Sequence, residues 1–355
     1  MSIEAVHVVS DSSGTVAPES SLYVRFRRQA GAWLADPFFH ALARVASRLP
    51  MAQPGRHGVE VLRDLPYAAD GSEEHRLDIY RPMQRSERLP VIFYSHGGGF
   101  RVLSKETHWL FALAFARQGY LVVNINYRLA PKAPFPAAPE DAAAALEWTL
   151  EHVAEHGGDP MRVALAGESA GANLATTLAL TSCTQRPERW ARRLYNLGFM
   201  PTAVLPACGI LQVSDTRRFE RMGRLPGIIL DRLTEVEDAY LPPWRRGRDS
   251  AAMADPLLIL ENRSTTWTRP LPPFFAPCGT ADPLLDDTRR LAAALARIGV
   301  ACEARYYHRE YHAFHAFYPL PNARRCWADT FAFLERHMPV QRAVPDSAAT
   351  ELAMP

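Results

Sequence analysis

A serine between two glycines is the first residue in this chain whose setting indicates chemistry. Gly167, Ser169 and Gly171 form the pattern G-x-S-x-G within RVALAGESAGANLATTLAL. An apolar run enters the pattern and an alanine- and leucine-rich run leaves it, which predicts a strand, a sharp turn and a helix. A serine exposed on such a turn can act as a nucleophile. The alternative is a serine that only caps the helix, but the strand–turn–helix setting favours the nucleophile.

A serine nucleophile needs a base to take its proton and an acid to orient that base. On this type of turn the partners follow in the order Ser, then Asp or Glu, then His. Asp282 comes just after the apolar run PPFFAPCG, in a loop where its carboxylate can reach another loop. Asp286 and Asp287 begin the next helical run, and we interpret them as charges that favour the N-terminus of that helix.

Three histidines compete for the role of base. His308, His312 and His315 lie in RYYHREYHAFHAFY, after the last apolar run. The order of the partners requires a histidine in this region. Spacing alone does not choose between His312 and His315.

Three consecutive glycines follow the apolar run PVIFYSH. Glycine loses the most backbone entropy on folding, so a run of three indicates that something must approach the backbone closely. Attack on an ester carbonyl creates an oxyanion, and backbone N–H groups aimed at it stabilise the transition state. We predict Gly98 and Gly99 as donors, with Gly97 permitting the turn. The third donor is the N–H of Ala170, the residue after the serine.

Short apolar runs separated by helical stretches must position these residues. Strands are predicted in GVEVLRDLPY, HRLDIYRP, PVIFYSH, YLVVNINY, RVALAGES, TAVLPACGIL, PPFFAPCG and ACEARYY. The alternation predicts an α/β fold, with a mostly parallel eight-stranded sheet and helices on both faces. Residues 1–55 have a helical pattern in which Phe38, Leu42, Val45 and Leu49 recur at helical spacing.

The alternation divides the rest of the chain into four parts. Residues 56–211 and 256–338 carry the predicted strands, and residues 212–255 between them form a polar, helical insertion. Residues 339–355 contain too little apolar material to pack, so we expect a flexible tail.

Composition excludes several classes of function. The chain has 355 residues and a net charge of +2, which gives no reason to expect nucleic acid as a partner. No apolar run is long enough to span a bilayer, and the start lacks a basic segment followed by an apolar one. We therefore expect a cytoplasmic protein without stable membrane insertion. The five scattered cysteines indicate neither a disulfide framework nor a metal site.

Taken together, these motifs resemble the hormone-sensitive-lipase-like esterases, the bacterial family IV or GDXG group of α/β-hydrolases. The resemblance runs from about residue 60 to 335 and includes, in the family's order, HGGGF, NYRLAPKAPFPAAPEDA, GESAGAN, DPLLDD and HAF. It implies an α/β-hydrolase fold with a helical cap, for which residues 1–55 and 212–255 are available. The family's histidine precedes Gly or Ala and then Phe. Ungapped placement from Asp282 identifies His312, with His315 as the second candidate.

The resemblance also implies an activity. It predicts a serine carboxylesterase that acts on short to medium acyl esters through Ser169, Asp282 and His312, without metal or cofactor. The partner is a small-molecule ester, and the prediction allows for a homodimer. Two other hypotheses stay open: a receptor-like protein that keeps the fold but only binds its ligand, and an amidase on the same three residues.

This sequence departs from the family's pattern at two positions near the motifs. Glu168 stands where the family usually has Asp or Thr, and Arg101 follows HGGGF. These departures leave the mechanism intact and concern the substrate pocket. The apolar residues available to cover that pocket are Tyr23, Phe26, Trp33, Phe38, Phe39, Leu225, Ile228, Ile229 and Leu230.

Overall fold

Eight strands organise the computed structural model, which describes residues 37, 40–83, 88–223, 225–247 and 249–340. The strands are β1 (Val59–Pro66), β2 (Arg76–Pro82), β3 (Leu89–Ser95), β4 (Leu121–Ile125), β5 (Gly158–Glu168), β6 (Ala203–Ala207), β7 (Phe274–Gly279) and β8 (Cys302–Tyr307). They form one sheet in the order β1-β2-β4-β3-β5-β6-β7-β8. Each of the eight predicted runs overlaps one of these strands, although β3 begins at Leu89 and β5 at Gly158, before the start of their predicted runs.

Most of the sheet is parallel. β2 pairs with β1 and β4 in the antiparallel sense, and every other neighbouring pair is parallel. The carboxyl ends of β3, β5, β6, β7 and β8 therefore meet at one edge, the position where open α/β sheets bind ligands. The predicted fold class is confirmed.

Helices cover both faces of the sheet. They are α1 (residues 40–46), α2 (Trp109–Ala116), α3 (Ala137–His152), α4 (Ala170–Cys183), α5 (Arg189–Asn196), α6 (Arg218–Arg221), α7 (Gly227–Tyr240), α8 (Pro256–Glu261), α9 (Leu285–Arg297) and α10 (Pro321–His337). Short 3₁₀ turns occur at Pro50–Ala52, Pro54–His57, Glu73–His75, Pro243–Arg245, Asp249–Ala254 and Phe314–Ala316. In the described part of the chain, no helix combines the length and apolar character that crossing a membrane requires.

Two apolar cores lie on opposite faces of the sheet because successive side chains of a strand point to opposite sides. Val91 and Phe93 pack into the core that also holds α3, α4 and α9. Ile92 and Tyr94, the residues between and after them, pack into the core formed with α2 and α10. Burial of each such side chain contributes roughly 1.5–3 kcal/mol relative to exposure. The sheet that carries the strand ends is therefore held from both sides.

The helical insertion lies between β6 and β7, and a buried ion pair ties it to the core. Arg218 of α6 donates to both carboxylate oxygens of Asp287 at 2.7 and 2.8 Å. Asp287 also accepts hydrogen bonds from the backbone N–H groups of Leu211 and Gln212. Asp286 and Asp287 do lie in the first turn of α9. Asp287 has a further role that the sequence does not predict, because its side chain is fully buried and paired with Arg218 of the insertion.

The two ends of the chain extend beyond the described residues. Tyr23, Phe26, Trp33, Phe38 and Phe39 lie outside them, as do residues 341–355. Leu42, Val45 and Leu49 are about half exposed or more. At the other end, Val340 packs against the core on α2 and α10, and the carbonyl of Pro339 accepts a hydrogen bond from Arg162. The first two residues of the segment predicted as a flexible tail, Pro339 and Val340, thus contact the folded domain.

Candidate active site

Ser169 sits on a strained turn between β5 and α4. Its φ of 55° and ψ of −114° are unusual for a residue with a side chain. Glycine on either side makes the turn feasible: a Cβ at Gly171 would lie 2.7 Å from the carbonyl oxygen of His96, and one at Gly167 would lie 2.5 Å from the backbone of Gly171. The N–H of Ser169 donates to the carbonyl of Ala207 at 3.0 Å. The neighbouring strands therefore hold the strained serine in place.

Asp282 and His312 are in direct contact at the same edge. Nδ1 of His312 lies 3.0 Å from Oδ2 and 3.1 Å from Oδ1 of Asp282. Asp282 is buried, and its Oδ1 accepts a hydrogen bond from the N–H of Leu284 at 2.8 Å, which fixes the carboxylate in the turn after β7. Because Nδ1 faces the carboxylate, Nε2 on the opposite side of the ring is left for another partner.

The backbone segment that accepts the hydrogen bond from Ser169 lies close to the Asp282–His312 pair. Cys208 follows Ala207, the acceptor for the N–H of Ser169, and its sulfur lies within 4.8 Å of ligand atoms of both Asp282 and His312. Ala207 and Cys208 thus connect the turn of Ser169 with the Asp282–His312 pair at this edge of the sheet. Burial opposes protonation of His312, but the charge and hydrogen bond of Asp282 outweigh it, and the pKa of the imidazole is raised above its ordinary value.

The other two histidines of the segment are elsewhere. His308 is exposed at the end of β8. His315 is buried beside the core formed with α2 and α10. Its ring lies 5.2 Å from the ring of Phe111 and 6.2 Å from that of Trp327. Burial lowers the pKa of His315 to about 4. Of the three candidates, only His312 contacts Asp282.

The glycine loop is shaped by close neighbours. Gly98 and Gly99 have φ values of +96° and +61°, in the region that favours glycine. The hydroxyl of Tyr127 donates to the carbonyl of His96 at 2.8 Å, and the N–H of Ala130 donates to the carbonyl of Phe100 at 2.8 Å. The NYRLAP motif therefore supports the loop from behind. Within the described residues, the backbone N–H groups of Gly98 and Gly99 pair with no backbone carbonyl.

Helix α7 of the insertion lies against the glycine loop. Val236 occupies the space beside Gly99, where a Cβ would lie 2.6 Å from its Cγ2. Next to it, Glu235 accepts a hydrogen bond from Arg101 at 2.8 Å and forms an ion pair with Arg232 at 2.6 Å. Arg101, a departure from the family pattern, thus joins the loop to the insertion. The contacts of Glu235 and Val236 could not be anticipated from local sequence, because the two residues are far along the chain from the loop.

A second buried carboxylate belongs to Glu168, the residue directly before Ser169. Glu168 accepts a hydrogen bond from the hydroxyl of Tyr94 at 3.0 Å and one from Nε2 of His108 at 2.9 Å. Its side chain also fills the space beside Gly97, where a Cβ would lie 2.8 Å from the carboxyl carbon. The sequence had singled out Glu168 only as a departure from the family pattern, and it gave no signal for His108.

Among the described residues, one group of three has donor atoms close enough together to share a metal ion. It consists of Cys208, Asp282 and His312. The arrangement does not fit a resident metal. Asp282 and Nδ1 of His312 already bond to each other, and burial raises the pKa of the Cys208 thiol well above its ordinary value, which disfavours the thiolate that a metal requires.

Comparison with known proteins places this geometry in a family. Residues 92–316 match the family described as alpha/beta hydrolase fold. The chain is 34% identical over 241 residues to the carboxylesterase NlhH of Mycobacterium tuberculosis, covering 66% of this chain and 69% of the relative. It is 32% identical over 239 residues to the acetyl esterase of Salmonella schwarzengrund, covering 66% and 68%.

A solved structure agrees at the level of the fold. A crystal structure of an esterase from the bacterial hormone-sensitive lipase family has a TM-score of 0.66 and 24% identity, covering 88% of this chain and 96% of that one. The chain therefore belongs to the α/β-hydrolase fold family, with a carboxylesterase and an acetyl esterase among its relatives.

Proposed function

We propose that this carboxylic ester hydrolase works through a Ser169–His312–Asp282 triad. His312 takes the proton of Ser169 as the hydroxyl attacks the ester carbonyl, and Asp282 holds the imidazole and stabilises its charged form. His312 then protonates the departing alcohol, which leaves an acyl-enzyme. Water, deprotonated by His312, releases the acid and restores the serine. The contact between Asp282 and His312, beside the strained turn of Ser169, is the observation that carries this proposal.

The oxyanion formed in each attack requires N–H donors. We assign Gly98, Gly99 and Ala170 to this role. The backbone N–H groups of Gly98 and Gly99 have no carbonyl partner in the described chain, and Ala170 opens α4, where N–H groups point outward. Donors fixed before the reaction stabilise the developing charge without reorganising.

We propose a substrate with a short to medium acyl chain. The relatives in the comparison are named carboxylesterase and acetyl esterase, which supports small esters. Val236 packs directly on the oxyanion loop, and the ion pair of Arg101 with Glu235 stands beside it. An acyl chain that lies over Gly99 must therefore share that space with Val236.

Replacement of the nucleophile tests the proposal. Ser169→Ala should abolish hydrolysis of p-nitrophenyl butyrate while the circular dichroism spectrum stays that of wild type. Ser264→Ala, which alters an exposed loop serine, is the matched control and should keep full turnover. Turnover by Ser169→Ala at the wild-type rate would refute the triad.

The two other hypotheses make different predictions. A receptor-like protein would fold, bind ester ligands and resist a fluorophosphonate probe, but the hydrogen-bonded Asp282 and His312 favour reaction with it. An amidase would cleave an amide matched to the best ester at a comparable rate. A cytoplasmic location and a homodimer remain predictions from the sequence.

A further inference from the structure

Glu168 joins the two halves of the proposed catalytic machinery. It is the last residue of β5, directly before Ser169, and only 4% exposed. Its carboxylate also packs against Gly97, the first glycine of the oxyanion loop. Glu168 thus contacts, through its buried side chain, the loop that would bind the oxyanion, and its backbone is joined by a peptide bond to the nucleophile.

Two hydrogen bonds fix this carboxylate. Tyr94 reaches it from β3, and His108 reaches it from the segment that leads from the glycine loop into α2. His108 is itself held, because its Nδ1 lies 3.1 Å from the carbonyl oxygen of Ser104 and 2.8 Å from the hydroxyl of Thr107. A buried carboxylate with partners on two oxygens has little freedom to move, so the turn and the loop keep one relative position.

The carboxylate is also a fixed negative charge. Burial opposes its ionisation, but the charge of His108 and the hydrogen bonds from His108 and Tyr94 outweigh it, and the pKa of Glu168 is below its ordinary value. The same charge acts on His312, in the direction that favours the protonated imidazole.

Other titratable groups surround Glu168 on every side. They are Tyr94, Tyr127, His96, His108, Cys208 and His315. Burial lowers the pKa of His96 to about 3 and that of His315 to about 4, and it raises the pKa values of the two tyrosines and the cysteine well above their ordinary ranges. These five groups are therefore neutral at neutral pH.

We propose that Glu168 is a positioning residue with an electrostatic role: it locks the Ser169 turn to the glycine loop through Tyr94 and His108, and it supplies His312 with a second negative charge. The inference rests on the proposed esterase function. The lock keeps the nucleophile and the oxyanion donors in register. The charge makes His312 a stronger base.

The test separates the charge from the lock. Glu168→Gln keeps the shape and removes the charge, so the acidic limb of the kcat/KM profile should move to lower pH and kcat should fall about 10- to 100-fold. Glu168→Asp keeps the charge but shortens the reach to His108, so kcat should fall while the limb stays at the wild-type pH. The control is Glu303→Gln, because Glu303 is a carboxylate on β8 that pairs with Arg336 of α10. It should change neither quantity.

Three outcomes would overturn the inference. The first is a Glu168→Gln protein whose acidic limb coincides with that of wild type. The second is a displaced limb in Glu168→Asp, which is decisive even if Glu168→Gln does not fold. The third is loss of the limb in His108→Gln, since the limb would then belong to His108. Fluorophosphonate labelling of wild type and Glu168→Gln keeps the two proposals apart, because failure of wild type to react would refute the esterase mechanism itself.

Discussion

Gly98 and Gly99 are adjacent and share a left-handed backbone, but a methyl group would meet different atoms at the two positions. A Cβ at Gly98 would overlap the carbonyl oxygen of Val102 and lie 2.9 Å from the carbon of that carbonyl. A Cβ at Gly99 would lie 2.6 Å from Cγ2 of Val236, the end of a side chain. Relief of the first clash requires the backbone to move, whereas relief of the second requires one side chain to give way.

The size of each effect follows from these contacts. A left-handed backbone costs an alanine about 1–2 kcal/mol at either position. A displaced loop additionally loses an oxyanion donor, which lowers kcat about 100- to 1,000-fold. We therefore expect Gly98→Ala to lose about that factor in kcat. Gly99→Ala should lose less, and the further change Val236→Ala should restore most of it.

The assay is kcat for p-nitrophenyl butyrate, measured beside urea unfolding. Gly198→Ala is the matched control, because Gly198 has a φ of +71° but no atom within 4 Å of an added Cβ. It should lower the free energy of unfolding by about 1–2 kcal/mol and leave kcat unchanged. A Gly98→Ala enzyme as active as Gly198→Ala would refute this explanation of the loop. So would a Gly99→Ala defect that persists after Val236 is shortened.

Three more predictions concern the pocket and the base. Val236→Ala should raise the kcat/KM ratio of p-nitrophenyl hexanoate to acetate by about fourfold per methylene newly buried, and an unchanged ratio would place the acyl chain elsewhere. His312→Ala should lower kcat about 10⁴-fold and His315→Ala far less, since of the two it is His312 that is hydrogen-bonded to Asp282, whereas His315 packs against Phe111; the reverse ranking would reassign the base. The base must be neutral and its pKa is raised, so activity should be lost on acidification with a midpoint above about 6.5; a kcat/KM midpoint near 5 would contradict the pairing with Asp282.

Local patterns were sufficient to predict the scaffold. Each apolar run overlaps a strand. Ser169 was identified from the G-x-S-x-G pattern at the end of one strand, and Asp282 from its place in the loop after another. Spacing did not separate His312 from His315. The resemblance favoured His312, and the hydrogen bond to Asp282 agrees with that choice.

The remaining contacts depend on the three-dimensional packing. Asp287 lies where a helix-terminal charge would lie, and nothing in its neighbourhood along the chain reveals the partner, Arg218, 69 positions earlier. The same holds for Glu168 and His108, which are 60 positions apart. Hydrophobic periodicity indicates which side of a helix or strand is buried, but it does not indicate which residues the buried side contacts.

The most direct test of the account is the site and stoichiometry of covalent labelling. The protein would be titrated with a fluorophosphonate, and the residual hydrolysis of p-nitrophenyl butyrate would be followed together with the intact mass. We predict that activity reaches zero at one equivalent, with a single adduct that peptide mapping assigns to Ser169. Full esterase activity in a protein labelled at Ser169, or complete inactivation by an adduct at another residue, would contradict the proposed mechanism.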